Sequence, residues 1–484
     1  LKQFATPGEL TETQGDEDMN ETNALNVVLL RQFFDRFRDI VYHGVPICKF
    51  IHIDLITNWR EALIQKNPAW LEEMRHVADL QVYEWSDAPY PYEAHPDGVV
   101  VMRGGFGDIA VEFLPRERFF LVSPNQAEVD LIKRNRPDLT AHNIADYYRD
   151  NPGAIAALNQ RITKAIRGQS DDPLFGSLDF LNWFTGRIPQ IVRILDAVQL
   201  LFETLNVGAV LTISSVYSMD GALNLIARAN RIPSLTLQHG LMAENDLFYH
   251  IPVLATQKMV WGEANRQWYQ KFGFPESRVS VIGSPRFDTI FNQKWCGKEQ
   301  LCRKLGTDPA KKIVVFAAPV IRFNQMVAPL VFDGLRSIPE VFLVMLLHPG
   351  EDPSLYEPFT PGFANCQILR FGQIRLYDAL SGADCFITYA STSTLEAMFF
   401  KLPIITAEPV PPTFSFGELG ASIRVTNSAE LNQAVRRLFS DELFRRDAIE
   451  RYHPFLLEYC IPDGSAGKRL FERVETFCRT GGIA

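Results

Sequence analysis

Two polar breaks in otherwise apolar stretches carry the residue types needed to hold an anion. The first, His348-Pro349-Gly350, closes the run FLVMLL at 342–347. The second, Ser391, Thr392, Ser393 and Thr394, follows the run CFI at 385–387 and leads into a helical pattern of Leu395, Ala397 and Met398. Ser393 and Glu396 stand in capping-box spacing, which predicts a helix beginning at the hydroxyl cluster. Unpaired N–H groups at such a start, with hydroxyls beside them, donate to phosphate oxygens. An imidazole at a neighbouring strand end can donate to the same anion. A third apolar run, PII at 403–405, completes a strand–loop–helix–strand unit. In open parallel sheets ligands bind beyond the carboxyl ends of the strands. A capping box or a His-Pro turn alone also occurs without a ligand; the pair, expected at adjacent strand ends of one sheet, points to a cradle for a diphosphate or nucleotide.

The elements that must position these loops are legible from 207 onward. VGAVLTIS (207–214) reads as a strand, DGALNLIARANRI as a helix, and IPSLTLQHG (232–240) as a strand ending in His239-Gly240. VLATQKMVWGE is a strand and turn, ANRQWYQKFGF a helix, and SRVSVIGSPRFD (277–288) a strand with a Gly-x-Pro turn. A charged stretch at 292–312 is expected to be a hinge. Beyond it KIVVFAAPV (312–320), VFLVMLLHP, CQILRFG, CFITYAS and LPIITAE supply a second set of strands, and two helical segments close the chain. This alternation implies parallel sheets covered on both faces. The fold class expected is α/β, with two Rossmann-like doubly wound domains facing across a cleft and extra helices in the N-terminal half.

The first 205 residues are less regular. Residues 1–24 are polar and acidic and are expected to form a tail or linker. A helical period follows in Val27, Leu30, Phe33, Phe34 and Phe37. ICKFIHIDLI (47–56) is expected to be a buried strand, the next segment a helix interrupted at Pro68, and QVYEW a strand. GVVVMRGGFGD (98–108) reads as a strand and a glycine turn whose spacing fits neither dinucleotide fingerprint nor Walker loop. Residues 120–205 are expected to be mainly helical. The domains expected are a tail at 1–24, Rossmann-like units at 25–292 and 293–455, and a final helix at 456–484 packing back on the first unit.

Length and composition set the outer limits. A chain of 484 residues exceeds the size at which single cores divide. A net charge of −9 argues against a nucleic-acid binder as a whole, while leaving room for a local basic groove. The seven cysteines have no C-x-x-C spacing, and the nine histidines make no zinc motif, so reduced core cysteines and no metal are expected. No run of eighteen apolar residues occurs, and Leu1 starts without a secretory pattern. A cytoplasmic protein is therefore expected. The start at Leu1 also fits a part of a longer polypeptide.

Four short matches resemble the two-Rossmann-domain (GT-B) sugar-nucleotide enzymes, nearest to surface-polysaccharide transferases and CDP-glycerol glycerophosphotransferases. LQHG (237–240) is similar to their first-half His-Gly turn, and VIGSPRFD (281–288), with Ser284, Arg286 and Asp288, to their block before the hinge. VVFAAPVIR (314–322) is similar to their first second-half strand, and LLHPG with the Ser/Thr-x-x-x-Glu block to their nucleotide loops. His-Pro with a Ser/Thr pair also resembles the donor loops of CMP-sialate and Kdo-type transferases. The matches span about 212–406; residues 1–205 match nothing in these families. The likeness implies a first half that binds acceptor and a second half that binds a CMP-, CDP- or UDP-linked sugar, which is a substrate, with no cofactor. His348, Pro349 and Gly350 with Ser391, Thr392, Ser393 and Thr394 would hold the nucleotide and its phosphates, and Glu396 would take a ribose or capping role. Arg322 would neutralise the departing nucleotide, with Ser284 and Arg286 nearby. His239 would be the general base, with Asp220 and Glu244 as competitors. The implied acceptor is a cell-surface or lipid-linked glycan, reached by peripheral association at the inner membrane face. A UDP-N-acetylglucosamine 2-epimerase and a silent sugar-nucleotide-binding module share the fold and are the alternatives.

Overall fold

The computed structural model describes residues 12–59, 92–215, 218–242, 250–319, 321–348 and 351–481, and all of their side chains except those of 12–24, 58–59 and 321–322. Two parallel sheets dominate it. The first contains β3 (Val99–Arg103), β4 (Phe119–Ser123), β5 (Ala141–Asn143), β6 (Val207–Thr212), β7 (Ser234–Leu237), β8 (Gln257–Val260) and β9 (Val279–Val281), in the order β5-β4-β3-β6-β7-β8-β9. The second contains β10 (Lys312–Ala317), β11 (Val341–Leu346), β12 (Cys366–Leu369), β13 (Cys385–Thr388), β14 (Ile404–Ala407) and β15 (Ile423–Val425), in the order β12-β11-β10-β13-β14-β15. A short antiparallel pair, β1 (Val41–Tyr42) with β2 (Val45–Pro46), precedes them. Central strands such as VGAVLT, IVVF and CFIT are buried along their whole length because helices cover both sheet faces.

Each sheet starts in its middle and grows first to one side and then to the other. The order therefore reverses between β3 and β6 in the first sheet, and between β10 and β13 in the second. Crevices at such switch points receive ligands in doubly wound folds. Both halves are Rossmann-like, as expected.

Several local expectations are corrected. The 47–56 segment is helical, Ile47–Asp54 continuing into a π-helical turn at Leu55–Trp59. Ile47, Cys48, Ile51, His52, Leu55 and Ile56 are its buried side chains, a helical spacing that a short apolar run conceals. Within 120–205 the strands β4 and β5 were not expected; β4 runs directly into a helix, and β5 is a three-residue edge strand. The first helix runs from Glu12 to Phe37, so residues 12–24, expected within a tail or linker, belong to a helix. The charged stretch at 292–312, expected to be a hinge, carries the helix Gly297–Leu305, anchored by buried Leu301, Cys302 and Leu305. QVYEW and the helix expected before it lie outside the described residues.

The halves share an apolar cluster. Trp261, Phe287 and Ile290 of the first half pack with Leu301, Phe386, Leu395, Phe416 and Phe455 of the second. The last helix, Ala466–Thr480, returns to the first half, where Leu470, Phe471, Val474 and Phe477 join Val100, Met102, Leu211 and Leu235 in one cluster. Asp288 receives hydrogen bonds from the N–H groups of Ala466 (3.0 Å) and Gly467 (2.6 Å), capping that helix from a distant segment. All seven cysteines are free, five of them buried. No helix among the described residues is long and apolar enough to cross a membrane.

Candidate active site

The carboxyl end of β7 is tied down by four hydrogen bonds. Lys258 Nζ donates to the Leu237 carbonyl at 3.0 Å. The Gln238 N–H donates to the Met259 carbonyl, its Nε2 donates to the Gly240 carbonyl at 2.9 Å, and its Oε1 accepts from the Trp261 N–H at 3.0 Å. His239-Gly240 is thus a fixed turn at a strand end. A methyl placed on Gly240 would lie 3.8 Å from Thr392 Oγ1 of the second half. The two sets of strand ends face each other at this point.

His239 is open to solvent, yet its proton affinity is lowered, first by partial desolvation and then by the charges of Lys258, Arg286 and Arg103. The imidazole is held towards its neutral, proton-accepting form. Arg103 ends β3 at the first switch point and forms ion pairs with Asp220 (2.8 Å) and Glu128 (2.9 Å). Asp220 is fully buried, and burial raises its carboxyl to about 6 against the opposing pull of Arg103. It also accepts the Ile213 N–H at 3.4 Å, so this competitor for the base role is engaged in bonding the strand end. Glu244 lies outside the described residues. The glycine turn after β3 has a packing cause: a side chain at Gly104 would collide with Ile132 and Ser123.

On the second half, the hydroxyl cluster leads from β13 into the helix Ser393–Phe399. The expected capping box is absent. Thr392 is the N-cap and makes no side-chain cap bond, while Ser391 Oγ accepts from the Ser393 N–H (3.3 Å) and hydroxyl (2.8 Å). Glu396 turns away because a stronger partner is available. Fully buried, it pairs with Arg286 of the first half at 2.8 Å and accepts the Tyr377 hydroxyl at 2.8 Å. Burial raises the Glu396 carboxyl, with Arg286 and Tyr377 opposing the rise. The Tyr377 hydroxyl also donates to the Arg286 carbonyl at 3.3 Å. Thr394 is buried.

His348 is exposed at the end of β11, and Pro349 and Gly350 are outside the described residues. The loop is fixed just beyond, where Glu351 accepts from Asn324 Nδ2 (2.9 Å) and the Tyr356 hydroxyl (2.8 Å). The expectation that the His-Pro and Ser/Thr loops sit at adjacent strand ends is not met: β10 lies between β11 and β13. Two strand spacings, about 9–10 Å, therefore separate them. Arg322 lies in the first turn of the helix Ile321–Arg336, which follows that intervening strand. Ser284 is the buried N-cap of the helix Pro285–Asn292, without a side-chain cap bond.

Arg103, Lys258, Gln238 and Tyr377 were not singled out from sequence. A lysine within the strand QKMV and an arginine ending another were visible signals, but their proximity to His239 depends on the strand order. Among the described residues no group of three metal-ligating side chains gathers.

No family model matches the chain, and no curated protein matches its sequence. Solved structures do match its architecture. A putative UDP-N-acetylglucosamine 2-epimerase from Listeria monocytogenes aligns with a TM-score of 0.54 and 11% identity, over 78% of this chain and 96% of its own. The S. aureus MnaA–UDP co-structure aligns with a TM-score of 0.52 and 15% identity over the same shares. A glycosyltransferase from Rickettsia africae aligns with a TM-score of 0.50 and 11% identity, over 79% of this chain and all of its own. At these identities the likeness establishes the fold: this chain has the two-domain GT-B architecture.

Proposed function

We propose that this protein is a glycosyltransferase that moves a sugar from a CMP-, CDP- or UDP-linked donor to a glycan acceptor. The observation that carries the reading is the meeting of Gly240, beside His239, with Thr392 in the hydroxyl loop across the cleft. A donor whose phosphates lie on 391–394, His348 and Arg322 would place its anomeric carbon between that loop and His239. Charge developing on the departing nucleotide would meet fixed donors, the arrangement that stabilises such a transition state. The imidazole would take the proton of the acceptor hydroxyl. The reading needs no metal, since arginines and hydroxyls meet the donor's charge. The first half would hold a cell-surface or lipid-linked acceptor, at the inner face of a membrane.

The second reading is a 2-epimerase or hydrolase acting on a UDP-sugar. It is favoured by the aligned structures that carry the epimerase name, and by Asp220 and Glu396, two buried carboxyls of raised proton affinity near the facing strand ends. A panel of activated sugars, incubated in D2O with and without glycan and with a chelator, separates the two. A transferase releases nucleotide rapidly only with acceptor and is unaffected by the chelator. Deuterium entering carbon 2 of UDP-N-acetylglucosamine without acceptor would replace transfer by epimerisation.

A further inference from the structure

β8 lies inside the first sheet, between β7 and β9, and is buried throughout. Lys258 on it is 4% exposed and stands level with Thr236 of β7 and Val279 of β9. Its Nζ reaches the carbonyl of Leu237, two residues before His239. No carboxylate among the described residues pairs with it. An amine held this deep with a single carbonyl acceptor is costly, and a methionine would fill the same space without that cost.

We propose that Lys258 is a positioning residue for His239: from its buried place on β8 it holds the end of β7 from which the His239 turn departs, and it brings a charge to that strand end. The inference rests on the reading of His239 as the base. Among the described residues, the charges that lower His239 are those of Lys258 from β8, Arg286 from the helix Pro285–Asn292 and Arg103 from β3. Arg286 is balanced by Glu396, and Arg103 by Asp220 and Glu128. Lys258 is the member of the three without an ion-pair partner among the described residues. His250, also buried, is acted on by both Lys258 and His239. Burial lowers Lys258 to about 7. As pH falls, the lysine therefore gains its proton before His239 does, and the new charge opposes protonation of the ring. The acceptor of the proton would stay available to lower pH than a histidine without that neighbour.

The test is an NMR titration of labelled histidine and lysine in the intact protein, with the His239 signals assigned by their loss in H239N. In the native chain the His239 ring signals are expected to show an inflection at the midpoint of Lys258. K258M should raise the His239 midpoint and move the acid limb of activity upward, so that the share of the plateau rate kept near pH 5.5 falls several-fold. K258R should restore both. A native His239 curve with no inflection at the Lys258 midpoint overturns the proposal, whether or not K258M folds. So does a K258M protein that melts lower with its His239 titration unchanged. If the His239 midpoint moves in K258M while the acid limb of activity does not follow, the coupling stands and the base reading fails.

Discussion

Replacing Arg286 by methionine strips Glu396 of its only cationic partner among the described residues while keeping an unbranched stem in the interface. The side chain of Glu396 is 0% exposed, whereas that of Arg286 is 54% exposed. Removing one partner of a fully buried pair costs about 3–5 kcal/mol. With Arg286 half in water, solvent takes over part of its role, and about 1.5–3 kcal/mol is expected near pH 8. The sign with pH follows from the direction of the Glu396 shift. Burial raises this carboxyl in the folded state, so the folded protein binds a proton that the unfolded chain has released, and stability falls as pH rises above the unfolded value. Arg286 opposes that shift; without it the window extends upward. The deficit of R286M should therefore be small near pH 5 and full near pH 8. E396Q, which keeps an oxygen for Tyr377 and Arg286 but no charge, should cost less than about 1 kcal/mol at either pH. Urea unfolding of the three proteins at the two pH values reads these differences. An equal deficit for R286M at both, or none at pH 8, would refute the view of Glu396 as a buried charge held by Arg286.

His239→Asn should slow the chemical step by about 10²–10⁴-fold and leave nucleotide affinity nearly intact, as measured by single-turnover kinetics and calorimetry. Native activity should fall with acid pH below the ordinary histidine range, because desolvation and three nearby cations lower this imidazole. His348→Ala should weaken nucleotide binding by about 1.5–3 kcal/mol, the range of a charge-assisted hydrogen bond; an unchanged affinity removes His348 from the site. Asp288→Ala uncaps the helix Ala466–Thr480 and should lower stability by about 1–2 kcal/mol without altering nucleotide affinity.

The sheet strands around the cleft were legible because both faces of a parallel strand are covered, which leaves unmistakable apolar runs such as IVVF and CFIT. What pattern could not provide was their lateral order. The chain passes from β10 outward to β11 and β12, then back across to β13, so loops close in sequence logic stand apart in space. Ser393 and Glu396 have the spacing of a cap, but a cap bond competes with any better partner the fold supplies. Here Arg286, more than a hundred positions earlier, wins Glu396. The 47–56 segment failed for a different reason: a run apolar on nearly every position has no period to read. Arg103 and Lys258 gained meaning only when β3, β6, β7 and β8 were placed side by side.

The return of the last helix to the first half means that the backbone passes between the halves twice, once after Asn292 and once before Ala466. The two passages touch: Asn292 Nδ2 donates to the Gly464 carbonyl at 3.0 Å, and a methyl on Gly464 would stand 2.9 Å from Phe291 Cβ. They behave as a double-threaded pivot rather than a single string. Severing the polypeptide in one passage would leave the lobes joined by the other, so a nicked molecule would run as two fragments in denaturing gels while sedimenting as one particle. Two threads lying together would also resist torsion between the halves more than one thread does.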